Sequence, residues 1–251
     1  MSIEVAVPAG AGRSGCPVWD ATSATLLWVR GHEVHRYSPG GADAVLELPQ
    51  PVGAALPRRR GLVLNLRDGV ALIDEDGAKT WLVYWAREGY AAVGAGVDPA
   101  GRLLAGTARG DDGWLARVLP NGDAKVLVGG VGVTGFDWDP GYSRLFVGSS
   151  RGVDVYGYDV SSGDVGERRS FLEVGVTGVA VEAGFVWVGV GSSVRRYTSG
   201  GVLDLVVEVP GEVGGCQFGG RDLTDLYVTA GGGVFVVPGA GVGRVGGVFA
   251  G

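Results

Sequence analysis

The chain has 251 residues, of which 46% are hydrophobic, only 19% are charged and 49 are glycine. This excludes a disordered chain, which would be apolar-poor and charge-rich, and, with no three-residue glycine period, a collagen-like fibre. A net charge of −6 argues against a nucleic-acid partner, which needs a basic face, and no apolar run approaches the roughly 18 residues of a membrane-spanning helix.

Residues 3–7, Ile3-Glu4-Val5-Ala6-Val7, alternate as a strand does. The first twelve residues have neither the basic start nor the apolar run of a signal peptide. Six segments then share one grammar: a small, glycine-rich start, a short apolar strand, a turn and a β-branched strand. They open at Ser14, Pro51, Ala91, Val131, Val176 and Val213, at intervals of 37, 40, 40, 45 and 37 residues. Each continues with two more strands, as in Val153-Asp154-Val155-Tyr156-Gly157-Tyr158 followed by Arg169-Ser170-Phe171-Leu172-Glu173-Val174. Helical periodicity is nowhere sustained.

Four strands in a unit of about 40 residues is the pattern of a β-propeller blade. The sequence therefore predicts an all-β, six-bladed propeller, a single domain over residues 1–251, with four-stranded blades around a central channel. The last unit, ending in residues 245–250, is short of strands. Residues 3–7 supply the missing outer strand and close the ring.

Ligands usually bind propellers at the channel mouth, which directs attention to the start of each first strand. Alignment on the Trp-Asp and Val-Asp-Pro turns gives one column of Gly15, Val52, Val93, Thr134, Thr177 and Gly214. The next column is Cys16, Gly53, Gly94, Gly135, Gly178 and Gly215. Neither holds a carboxylate, an amide or a histidine. Cys16 and Cys216 start the first strands of blades that become neighbours on closure. They are read as small buried thiols, and with no disulfide framework the chain is expected in a reducing cytoplasm. The only histidines, His32 and His35, are read as a surface turn, so no Ser-His-Asp or Cys-His relay is expected. Asp98 and Asp139 precede turns and are read as turn-makers. Asp137 is placed deep, and Glu88 and Tyr90 at the rim. These three are the candidate catalytic groups, each needing a pKa shifted by its surroundings to serve.

The words Cys16-Pro17-Val18-Trp19-Asp20, His35-Arg36-Tyr37, Val97-Asp98-Pro99-Ala100-Gly101-Arg102-Leu103-Leu104-Ala105-Gly106-Thr107, Gly135-Phe136-Asp137-Trp138, Val194-Arg195-Arg196-Tyr197-Thr198 and Cys216-Gln217-Phe218-Gly219-Gly220 span almost the whole chain in order. In them the sequence resembles the senescence-marker-protein/gluconolactonase/regucalcin family of six-bladed propellers. The resemblance implies a divalent cation in the channel that polarises a sugar lactone for hydrolysis. Its ligand positions, a Glu, an Asn and an Asp, fall here at Gly15, Thr134 and Thr177. A further, substrate-lining Asn falls at Val93, and an Arg of the same word at Ala91. The connections Gly148-Ser149-Ser150-Arg151-Gly152, Gly189-Val190-Gly191-Ser192-Ser193 and Thr229-Ala230-Gly231-Gly232-Gly233 are shorter than the family's.

Small liners and short loops lead to the expectation of a wide, open and largely apolar channel with no metal and no cofactor. It would bind a small, fairly apolar molecule, with Gly15, Cys16, Val52, Val93, Gly94, Thr134, Thr177, Gly214, Gly215 and Cys216 as its binding surface. Such a chain could serve as a cofactor-independent biosynthetic enzyme. The alternatives are a catalytically silent propeller, natural or engineered, and a residual metal-dependent lactone or ester hydrolase. Neither a nucleic acid nor a membrane is expected as partner, and the sequence identifies no protein partner.

Overall fold

Alternating β-branched and small residues, punctuated by Gly and Asp turns, leave strands as the only elements. The computed structural model describes all 251 residues and contains twenty-four strands and no helix. After β1 (Glu4–Val7), the first blade contains β2 (Ser14–Asp20), β3 (Thr25–Arg30), β4 (Glu33–Tyr37) and β5 (Asp43–Glu47). The second contains β6 (Val52–Pro57), β7 (Leu62–Leu66), β8 (Gly69–Ile73) and β9 (Lys79–Tyr84). In the third are β10 (Ala91–Val97), β11 (Leu103–Arg109), β12 (Asp112–Val118) and β13 (Ala124–Gly129). The fourth has β14 (Val133–Trp138), β15 (Arg144–Ser149), β16 (Gly152–Asp159) and β17 (Asp164–Leu172), and the fifth β18 (Val179–Glu182), β19 (Phe185–Val190), β20 (Ser193–Thr198) and β21 (Leu203–Glu208). The last blade joins β22 (Val213–Gly219), β23 (Asp225–Ala230) and β24 (Gly233–Val237) to β1, in the order β1-β24-β23-β22. All six sheets are antiparallel and four-stranded, and the whole is a six-bladed β-propeller.

Each blade presents an apolar face to its neighbour, and the buried residues fall into six clusters, one for each blade junction. Leu27, Val29 and Val34 of the first blade meet Val52, Leu64 and Ile73 of the second. Trp19 and Trp28 meet Tyr227 and Val234 where the ring closes. Backbone hydrogen bonds repeat the junction at the upper rim. The start of a first strand donates to the β-hairpin of the preceding blade at Val52–Gly31 (2.9 Å), Gly132–Asp111 (2.8 Å), Val176–Ser149 (3.0 Å) and Val213–Gly191 (2.8 Å).

The first strands converge on the axis, and glycine permits the approach. A Cβ added to Gly178 would lie 2.7 Å from Gly215 Cα, and one added to Gly135 would lie 3.0 Å from Gly178 Cα. Both values are below ordinary van der Waals contact, so any side chain there would push two blades apart.

The turn-making carboxylates behave as expected. Asp98 Oδ1 accepts from the backbone N–H of Ala100 and Arg102, and Asp139 Oδ1 from those of Ser143 and Arg144. His32 lies exposed in the β3–β4 turn, but the surface-turn reading fails for His35. Its ring is buried, stacked 3.9 Å from Trp28, and bonded to Asp43 and Glu33. Alternation along β4 turns position 35 into the sheet packing, which a lone histidine in a short strand does not announce.

Deleting residues 1–8 would expose the edge of β24 and remove the packing of Ile3, Ala6 and Val7. By the usual worth of buried apolar surface, the loss amounts to several kcal/mol. Urea denaturation of the truncated chain should show a clearly lowered midpoint; an unchanged midpoint would contradict closure of the ring through β1.

Candidate functional site

The six first strands enclose a cavity of about 960 Å³ on the propeller axis, within the size range of small-molecule sites. Every predicted channel residue lines it: Gly15, Cys16, Val52, Val93, Gly94, Thr134, Thr177, Gly214, Gly215 and Cys216. One register differs from the sequence alignment. Val52 pairs with the last residue of its neighbouring strand, Leu66, just as Val133 pairs with Ser149 and Val213 with Ala230. Val52 therefore belongs with the valines that pack between blades, and Gly53 stands level with Thr134 and Gly214. The second blade has Pro57-Arg58-Arg59-Arg60 where the first, third and fourth blades have an Asp turn at Asp20, Asp98 and Asp139, so nothing in its sequence fixes the bulge between Val52 and Ala54.

The wall is apolar despite its two threonines. Thr134 Oγ1 and Thr177 Oγ1 are buried and have no hydrogen-bond partner, although both residues are partly accessible. A Cβ on Gly189, in β19, would lie 2.7 Å from Thr177 Oγ1, which places that oxygen against the second strand and away from the axis. What the two threonines offer the cavity is methyl and backbone. Gln217, which the sequence alignment did not single out, adds a primary amide to the lining.

The cavity is not open at both ends. Residues 241–250, of which 245–250 are expected from the sequence to end the last blade, instead cross beneath the ring and touch the lower ends of the first strands. Val242 N–H donates to Glu182 Oε2, Gly243 N–H to the Leu223 carbonyl and Phe249 N–H to the Pro57 carbonyl. Phe249 is fully buried between the second and third blades. Arg244, Gly246 and Gly247 form part of the cavity lining, so the channel is a blind pocket with a floor. Glycine-rich sequence suits a segment that must lie against six strand ends: a Cβ at Gly247 would meet the carbonyl oxygens of Val97 and Asp98 at 2.6 Å.

Asp137 lies on this floor, buried and fully engaged. Its carboxylate accepts from the backbone N–H of Trp138 and of Val181, both at 2.9 Å, and is in direct contact with the Arg244 guanidinium. Arg244 is sandwiched between Trp138 (5.1 Å to the ring centre) and Tyr142 (4.5 Å), and also donates to the Tyr142 hydroxyl. Two backbone donors and a cation occupy this carboxylate, and its role is to anchor the floor. Glu88 is exposed and Tyr90 donates to Asp112, and neither lines the central cavity. The three candidate catalytic groups are therefore not brought together. Burial pushes the Cys16 thiol up to about 11 and the Cys216 thiol up to about 12, which suppresses thiolate chemistry at both. Both cysteines are free.

The architecture belongs to the lactonase-type six-bladed propellers. The SMP-30/Gluconolactonase/LRE-like family model matches residues 14–232, and the chain belongs to that family. It is 31% identical over 237 residues to pentonolactonase XacC of Haloferax volcanii, covering 86% of this chain and 81% of that protein. Rabbit (Oryctolagus cuniculus) regucalcin is 25% identical over 296 residues, with 96% of each chain covered. Among solved structures, a luciferin-regenerating enzyme superposes with a TM-score of 0.87 at 20% identity over 99% of both chains. Regucalcin of Agrobacterium tumefaciens gives 0.85 at 20% identity, covering 94% of this chain and 93% of that one.

The divalent ion implied by family resemblance can be tested against the residues present. Calcium takes six to eight oxygen ligands, several of them carboxylates. Gly15, Val93, Thr134 and Thr177 offer two hydroxyl oxygens, both buried, and no carboxylate. No three His, Cys, Asp or Glu side chains gather as a metal site. The donor set does not fit such an ion.

Two outcomes follow from the floor and the thiols. Arg244→Ala leaves Asp137 buried without its cation and should cost about 3–5 kcal/mol, whereas Asp137→Asn combined with Arg244→Met should recover most of it. Chemical denaturation of the three proteins checks this, and a harmless Arg244→Ala would show that the floor is not anchored there.

Alkaline pH reads the second. In the unfolded chain the cysteines lose their protons from about pH 9 and the tyrosines from about 10. In the folded protein burial raises Cys16, Cys216, Tyr158 and Tyr227, with Tyr227 reaching about 12. Between these values the unfolded state binds fewer protons, so stability should fall as pH rises from 9 towards 11, by up to about 1.4 kcal/mol per pH unit for each group. Denaturation midpoints across that range should decline, and flat midpoints would contradict the burial of these groups.

Proposed function

We propose that the chain is a lactonase-family propeller whose blind axial pocket binds a small, largely apolar molecule without a divalent metal. The observation that carries this is the wall itself: at the family's ligand positions stand Gly15, Thr134 and Thr177, and both threonine hydroxyls are turned into the protein. Val93, Val179, Phe136 and Val18 complete a lining whose middle suits hydrocarbon or aromatic surface, with the Gln217 amide as a polar handle and Arg13, Arg30, His32 and Glu33 at the mouth. That is the usual composition of a small-molecule site: mostly apolar, with few polar groups to fix orientation.

The same residues argue for binding over catalysis. Neither thiol is activated, Asp137 is committed to Arg244, His35 is tied into the first blade, and His32, at the pocket mouth, holds its Nδ1 against the Leu48 carbonyl. A reaction there would draw on shape and a few hydrogen bonds, as a cofactor-independent biosynthetic step can.

Thermal denaturation with calcium, zinc or manganese tests the metal-free reading. An ion at 100 times its dissociation constant stabilises by about 2.7 kcal/mol, so millimolar ions should leave the melting temperature unmoved and gluconolactone hydrolysis at background. An EDTA-reversible rise would overturn it. Native mass spectrometry of freshly purified protein should show a retained organic molecule that Val93→Glu displaces; a pocket that retains none and takes up no apolar probe would favour a silent propeller.

A further inference from the structure

A second cavity, of about 400 Å³, lies away from the axis between the connection of residues 85–90 and the outer half of the third blade. Trp85, Tyr90 and Trp114 line it, with Arg87, Asp112 and Lys125. Tyr90 packs 4.9 Å from Trp114, and Trp85 meets Trp114 edge-on, with ring centres 6.3 Å apart and planes at 87°. The other connections between consecutive blades, residues 48–51, 130–132, 173–178 and 209–212, contain no aromatic residue. The ring packing of the propeller therefore does not require aromatics here.

The charges in the cleft are unevenly matched. Asp112 is engaged by the Tyr90 hydroxyl and by Arg109 at 3.4 Å, and Lys125 is paired with Asp164 at 2.8 Å. Arg87 has no carboxylate partner and holds its guanidinium 5.4 Å from the centre of the Trp114 ring. A guanidinium lying over an indole keeps its N–H edge free for two parallel bonds to a carboxylate. The indole N–H of Trp85 is buried and also lacks an acceptor.

We propose that this cleft is a second ligand site, which takes a small aromatic carboxylate: the ring packs against Trp114 and Trp85, and the carboxylate pairs with Arg87. An aromatic body fits two ring faces set at right angles, where edge-to-face contact is favourable, and the excess cation selects an anion.

Benzoate is the probe, with benzyl alcohol lacking the charge and acetate lacking the ring. Titration of the full-length protein, followed through its tryptophan indole N–H resonances, should show saturable benzoate binding that moves the Trp85 signal, assigned with Trp85→Phe. Benzyl alcohol and acetate should each bind about tenfold more weakly or worse. Arg87 is exposed, so Arg87→Gln should fold normally and lose benzoate affinity by a similar factor. Should Trp85→Phe fail to fold, the comparison of Arg87→Gln with the parent decides by itself. The proposal is overturned if benzoate leaves the Trp85 resonance in place, if Arg87→Gln binds benzoate as the parent does, or if benzyl alcohol binds equally well. A benzoate shift confined to other tryptophans, such as Trp138 near the axial floor, would place the anion in the axial pocket and overturn it too.

Discussion

Face-to-face packing of adjacent blades is the interaction on which everything else rests. A four-stranded antiparallel sheet of this size has two faces and no core of its own, so it is stable only between two like sheets. Each junction supplies one apolar cluster, and six junctions closed on themselves leave no blade with an uncovered face. Closure through β1 makes the last blade four-stranded and ties the two ends of the chain into one ring.

That packing fixes the site. Once six first strands are held around one axis, whatever stands at their upper ends lines a common cavity. The strands come so close that glycine is required where one blade passes the next, as at Gly178 against Gly215. The position before it in each strand is the one free to vary. In this chain it holds small or apolar residues, with both threonine oxygens buried and that of Thr177 against the second strand. The chemistry of the wall is thus set by these side chains and not by the fold, and fold-level kinship alone does not specify an activity.

The floor is a separate device. The C-terminal segment buries Phe249 as an apolar wedge and inserts Arg244 between two aromatic rings opposite Asp137. A buried ion pair of this kind adds little net stability, but it penalises any arrangement that separates the partners. It therefore serves to fix where the segment lies more than to strengthen it. A through-channel becomes a blind pocket, accessible only from the side where β-hairpins of two residues, as at Ser149–Gly152 and Ala230–Gly233, leave the mouth uncovered.

Strand count, blade number and ring closure are all legible in the sequence, because a repeat of about 40 residues with period-2 alternation admits few folds and residues 3–7 have the pattern of the strand the last unit lacks. The small size of the channel liners is legible too, since position along a first strand sets which residues face the axis. Three things were decided only by the tertiary structure. The register of the second blade depends on a bulge that no turn residue marks, so Val52 packs against a neighbouring blade at the edge of the cavity and Gly53 takes the axial level. The burial of His35 and the engagement of Asp137 depend on partners 8 and 107 residues away, and a one-dimensional pattern carries no information about such distant pairs. The glycine-rich residues 241–250 have no periodicity at all, because their conformation is dictated by the six strand ends they cross and not by any local preference.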